Sequence, residues 1–143
     1  MSRRTKNPPD ALSLMTSARS FGNYDLAGAL ADLIDNSITA SANKVSITCS
    51  YRKGDPEVRV RDDGCGMTAD RLRSAMRPAS TSPDVDRSDD DLGRFGWGMK
   101  SASLSQCKFL TVVSKCRGEL SAAAWNLDDI EDWSMLTYSS QEA

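Results

Sequence analysis

The chain has 143 residues, four cysteines, no histidine and a formal net charge of −2, a size that suits one domain with a real hydrophobic core. So small a charge excludes a global electrostatic draw toward nucleic acid or anionic membrane, and the lack of histidine excludes histidine-based acid–base chemistry and every histidine triad. No apolar run approaches the roughly eighteen residues of a membrane span, and none follows the basic start Arg3, Arg4 and Lys6, so the reading is of a cytoplasmic chain.

Residues 1 to 9, ending in Pro8 and Pro9, read as a loose arm, and Asp10 is placed to cap a short helix carrying Leu12, Leu14 and Met15. Gly22 breaks that pattern and Asn23 offers a second cap. From Tyr24 to Ser41, YDLAGALADLIDNSITAS, the helical period places Leu26, Leu30, Leu33, Ile34 and Ile38 on an apolar stripe and Asp25, Asp32 and Asn36 on the opposite side. Asp32 and Asn36 stand about one turn, roughly 6 Å, apart, a spacing that lets both touch one ion, water or phosphate. A solvated polar face is the competing reading of this helix.

Strict alternation from Val45 to Tyr51 predicts a half-buried strand with Val45, Ile47, Cys49 and Tyr51 inward. Lys53, Gly54, Asp55 and Pro56 form a turn, and Glu57 to Arg61, with Val58 and Val60 inward, completes an antiparallel hairpin that delivers Asp62 to the sheet edge. After Asp63, Gly64, Cys65, Gly66 and Met67, Thr68 is placed to cap a helix with Leu72, Ala75 and Met76 at helical spacing, ended by Pro78. The scattered Cys49, Cys65, Cys107 and Cys116 lack the close pairs that zinc sites use and read as reduced thiols.

Residues 79 to 92 are short, polar and acidic, the composition of a mobile loop. Counted from Asp84 they fail as a calcium loop, with Asp89 where glycine is required and Phe95 where a bidentate glutamate belongs. Gly93, Gly96 and Gly98 then precede a helix predicted from Met99 to Gln106. The spacing from Gly93 to Gly98 resembles a P-loop, but Met99 occupies the lysine position and Lys100 comes one residue late. Bare amides at a helix start still suit an anion. Lys108 to Ser114 reads as a central strand, apolar on both faces, and Arg117 and Gly118 turn it into a second strand from Leu120 to Trp125. The tail from Asn126 reads as acidic and irregular.

Three features recur in a fixed order: ADLIDNSITA, RDDGCGM and GRFGWGMKS. Together they resemble the three motifs of the GHKL superfamily of ATP-binding domains, which includes gyrase B, MutL, histidine kinases, the large cytosolic chaperones and the MORC proteins. The wording LIDNS and GMKS is most similar to MORC-like and MutL-like members. The resemblance covers roughly residues 20 to 125 and implies a two-layer α/β sandwich of the Bergerat type, helices on one face of a mixed, mainly antiparallel sheet, incomplete at the C-terminus. It divides the chain into an arm and short helix at 1–19, an ATP-binding domain at 20–126 with its lid at about 79–98, and a tail or start of a continuation at 127–143.

By resemblance, Asn36 coordinates magnesium at the ATP phosphates, Asp62 accepts the adenine amine, Gly64 and Gly66 permit close approach to the base beside Met67, and Gly96, Gly98 and Lys100 surround the phosphates. Asp32 takes the catalytic position, where many hydrolysing members carry glutamate, and its side chain is one methylene shorter. The implied function is slow ATP hydrolysis that orders the lid and gates dimerisation through the N-terminal arm and lid. A nucleic-acid or protein client would be engaged only by further parts of a longer protein, with no membrane involved. A non-hydrolysing ATP sensor, the catalytic domain of a histidine kinase and a nucleotide-free interaction module are the alternatives.

Overall fold

The computed structural model describes residues 6, 8–20, 25–78 and 98–138, with side chains described for all of these except 98–101. Asp10 caps α1 (Ala11–Ala18), its Oδ1 accepting from the Ser13 amide at 2.8 Å. The principal helix, α2 (Leu26–Thr39), is capped by Asp25, whose carboxylate accepts from the Gly28 amide at 2.7 Å. Asp25 therefore serves the helix end and not the polar face on which the periodicity put it; Asn23 lies outside the described residues.

The apolar stripe of α2 is also less buried than its periodicity predicts. The buried residues of α2 are Ala29 and Ser37, neither of them in the stripe, whereas Leu26 is 46% and Ile38 63% exposed. The helix α4 (Gly98–Gln106) packs against α2.

Two antiparallel sheets complete the α/β architecture. The first pairs β1 (Val45–Arg52) with β2 (Asp55–Asp62) in the register Ile47 opposite Val60 and Cys49 opposite Val58. Its turn is tighter than the sequence suggests: Arg52 already pairs with Asp55, and Lys53 and Gly54 carry φ of 51° and 95°. Two successive left-handed residues are what a two-residue turn needs to match strand twist. The alternation is real, but Ile47, Tyr51 and Val58 on the apolar side are exposed among the described residues.

The second sheet has the order β3 (Phe109–Cys116), β4 (Glu119–Asn126), β5 (Leu136–Tyr138). Leu110 lies opposite Trp125, Val112 opposite Ala123 and Ser114 opposite Ser121, so these six share one face. That face meets the helices: Met15 of α1, Leu72 and Met76 of α3 (Ala69–Met76), Leu104 of α4, Ala123, Trp125 and Leu127 form the buried cluster. Strand β3 is not apolar-buried on both sides, since Phe109 and Val113 on the outer face are more than half exposed. In the tail, β5 pairs with β4 through Ala122 opposite Tyr138 and Ala124 opposite Leu136. A three-residue strand amid acidic residues is too short for periodicity to announce.

Candidate functional site

The last residue of β2, Asp62, is held from two sides. Its Oδ2 accepts from the Ser37 hydroxyl of α2 at 3.1 Å, and its Oδ1 accepts from the Gly64 amide at 2.8 Å. The Ser37 hydroxyl also lies 3.1 Å from the Leu33 carbonyl, so it can satisfy either acceptor from inside the helix. The next loop residue joins the same helix, with the Cys65 amide donating to the Ala40 carbonyl at 3.0 Å. The loop after β2 is therefore seated on the C-terminal turn of α2.

Both glycines of that loop answer to protein packing. A Cβ on Gly64 would stand 2.9 Å from the Ala40 side chain and carbonyl, and one on Gly66 would stand 2.0 Å from the Lys115 carbonyl of β3. Gly66 also has φ of 66°, a left-handed conformation that favours glycine. Met67 closes the loop: its amide donates to the Ser114 hydroxyl at 2.7 Å, and its side chain packs on the hydrophobic cluster.

Asp63 turns away from this loop. Its Oδ1 accepts from the amides of Asn43 at 2.7 Å and Lys44 at 2.8 Å, bracing the α2–β1 connection against the end of β2. The Lys44 bond, and after it the Asn43 bond, hold the Asp63 carboxyl below its ordinary value of 3.8.

Of the other expected site residues, Asp32 is half-buried and Asn36 exposed on α2, and Asn36 directly precedes Ser37. Successive helical positions differ by about 100° around the axis, so Asn36 and the Asp62-bound Ser37 occupy adjoining sides of the helix. Gly98 opens α4 and Lys100 follows in its first turn, while the Lys100 side chain, Gly96 and the 79–97 part of the expected lid lie outside the described residues. A separate cavity of about 550 Å³ between Leu14, Trp133, Met135 and the Arg73 and Arg77 side chains touches none of the expected site residues.

Sequence reasoning missed Ser37 and Ser114. Each had a signal: Ser37 lies beside Leu33 and Ile34 away from the polar face of α2, and Ser114 keeps step with Leu110 and Val112 on the core side of β3. A small hydroxyl at an apolar position implies a partner, because a buried polar group without one is costly.

Residues 24–143 match the family described as histidine kinase-, DNA gyrase B-, and HSP90-like ATPase, and the chain belongs to that family. Within it the chain is a MutL-like domain of the GHKL superfamily. It is 36% identical over 93 residues to DNA mismatch repair protein MutL of Rhizorhabdus wittichii, covering 64% of this chain and 16% of the relative. Identity is 32% over 105 residues with MutL of Paramagnetospirillum magneticum and 33% over 103 with MutL of Haemophilus influenzae, each match covering 71% of this chain and 16% of the relative. The chain thus corresponds to a small part of these proteins. Membership of an ATPase family supports ATP binding, and no helix among the described residues is long and apolar enough to cross a membrane.

Proposed function

We propose that this chain binds Mg-ATP between α2 and the loop after β2 and hydrolyses it slowly, as a cytoplasmic module of a larger protein. Nucleotide state would order a lid at about 79–98 and gate dimerisation through the lid and N-terminal arm. The observation that carries this reading is the Asp62 carboxylate, oriented by the Ser37 hydroxyl and the Gly64 amide at the end of β2. An ionised carboxylate only accepts hydrogen bonds, so it favours the exocyclic amine of adenine over the carbonyl of guanine.

The remaining residues have defined tasks in this reading. Met67 and the Gly64–Gly66 main chain flank the base. Gly96, Gly98 and Lys100 surround the phosphates, and because Gly98 begins α4, free amides and the helix dipole favour an anion there. Among the described residues no group of three His, Cys, Asp or Glu is placed to hold a metal. Magnesium bound through phosphates and water needs only one or two protein oxygens, and the exposed Asn36 amide would supply one. Bound there, the ion would neutralise phosphate charge. Asp32 would orient the attacking water and take its proton as the water oxygen bonds to the γ-phosphorus. The bond from that phosphorus to the bridging oxygen breaks, and ADP keeps the oxygen with its electron pair.

Titration with ATP and GTP, with and without magnesium, alongside phosphate release, tests the proposal. Wild-type chain is expected to bind ATP in preference to GTP, and Asp32→Ala to keep binding while losing turnover. No ATP binding by the wild type rejects it. The shorter reach of Asp32 favours a second reading, a non-hydrolysing sensor, which ATP binding with background phosphate release would select.

A further inference from the structure

We infer that Ser114 is a positioning residue for the nucleotide loop, its hydroxyl on β3 fixing the main chain at Met67 and so holding residues 62–67 in the shape that receives ATP. The inference rests on the proposed role of that loop. Ser114 is 8% exposed and accepts from the Met67 amide at 2.7 Å, a bond that spans 47 residues of sequence. One residue further along β3, the Lys115 carbonyl approaches Gly66 too closely for any Cβ. The loop is therefore pressed onto β3 at two successive residues.

Its start is fixed elsewhere. Asp62 and Cys65 are bonded to α2 through Ser37 and the Ala40 carbonyl, and Gly64 packs against Ala40. One end of the loop is thus joined to the helix and the other to the second sheet, with the adenine-facing carboxylate of Asp62 at the first anchor. Beyond Met67, Thr68 caps α3, and the far end of α3 is tied to the same sheet by the Trp125 indole, which donates to the Met76 carbonyl at 2.9 Å.

Removing the Ser114 oxygen leaves the Met67 amide without this acceptor and frees the second anchor. The loop then spends only a fraction of its time in the receptive shape, and apparent affinity falls by that fraction, while the saturated complex is unchanged. Ser121 provides the control. It lies directly opposite Ser114 on the same face, and its buried hydroxyl has no hydrogen-bond partner among the described residues.

The test is Mg-ATP titration of Ser114→Ala, Ser114→Cys and Ser121→Ala in the full chain, reading dissociation constant and stoichiometry separately, with amide hydrogen exchange at Met67 in the free protein. Ser114→Ala is expected to raise the dissociation constant about tenfold at unchanged stoichiometry, the scale of one lost buried hydrogen bond. Exchange at Met67 should accelerate, Ser114→Cys should fall between, as sulfur accepts weakly, and Ser121→Ala should match wild type. A purely structural role lowers stoichiometry or melting temperature at unchanged dissociation constant, and that result overturns the inference. If Ser114→Ala does not fold, Ser114→Cys against Ser121→Ala decides, and equal affinities overturn it. Absence of ATP binding by the wild type would instead reject the nucleotide role, with Met67 exchange still reporting the anchor.

Discussion

The Ser37 hydroxyl donates to Oδ2 of Asp62 over 3.1 Å, joining the buried side of α2 to the last residue of β2 across 25 residues of sequence. This contact decides how the carboxylate points. With Oδ1 engaged by the Gly64 amide, both oxygens are oriented before any ligand arrives, yet each retains a lone pair.

Replacing Asp62 with asparagine tests base recognition. The variant keeps the shape but exchanges one acceptor oxygen for a donor amide, which cannot accept from adenine and opposes the Ser37 or Gly64 donor. ATP affinity is expected to fall about ten- to a hundredfold, as for loss of a charged hydrogen bond, with the ATP-over-GTP preference narrowed. Calorimetric titration with both nucleotides measures this, and an unchanged preference would remove Asp62 from base recognition.

Two glycine substitutions separate packing from backbone strain. Gly66→Ala adds a Cβ 2.0 Å from the Lys115 carbonyl at φ of 66°, so β3 or the loop must shift. Gly54→Ala, at φ of 95°, meets nothing within 4 Å. Urea unfolding is expected to show a loss of about 1 to 2 kcal/mol for Gly54→Ala, from conformation alone, and a larger loss of about 3 kcal/mol or more for Gly66→Ala. Equal losses would show that the approach of Gly66 to β3 does not constrain the loop.

The Asp63 carboxyl, held below 3.8 chiefly by its bonds from the Lys44 and Asn43 amides, links stability to acid pH. A depressed folded value means that the unfolded chain binds the proton more readily. The contribution is therefore fully present above about pH 4 and fades as pH falls through the depressed folded value. Asp63→Asn should be less stable than wild type at neutral pH, and the difference should shrink on acidification. Unfolding midpoints measured from neutral to acid pH check this, and a constant difference would refute it.

Most elements could be read from the chain because each had a period and a cap: Asp10 for α1, Thr68 for α3, and the Arg117–Gly118 turn between β3 and β4. The three motifs identified the family and the loop. Burial was harder to foresee. Periodicity shows that Ile38 and Ile47 share a side with other apolar residues, but not whether another element covers that side, and both are exposed here. Gly64 and Gly66 were legible as glycines that something must approach closely. That Ala40 and the Lys115 carbonyl are the approaching groups is a tertiary fact, with Lys115 49 positions from Gly66, and local pattern carries no trace of it.

The seating of Trp125 gives this molecule a native optical probe. Its ring is 2% exposed and its indole nitrogen is bound to the end of α3, whereas Trp133 is 38% exposed. Any event that lifts α3 from the sheet would hydrate that ring and move its emission toward the red, so repositioning of this helix can be followed by intrinsic fluorescence without attaching a dye.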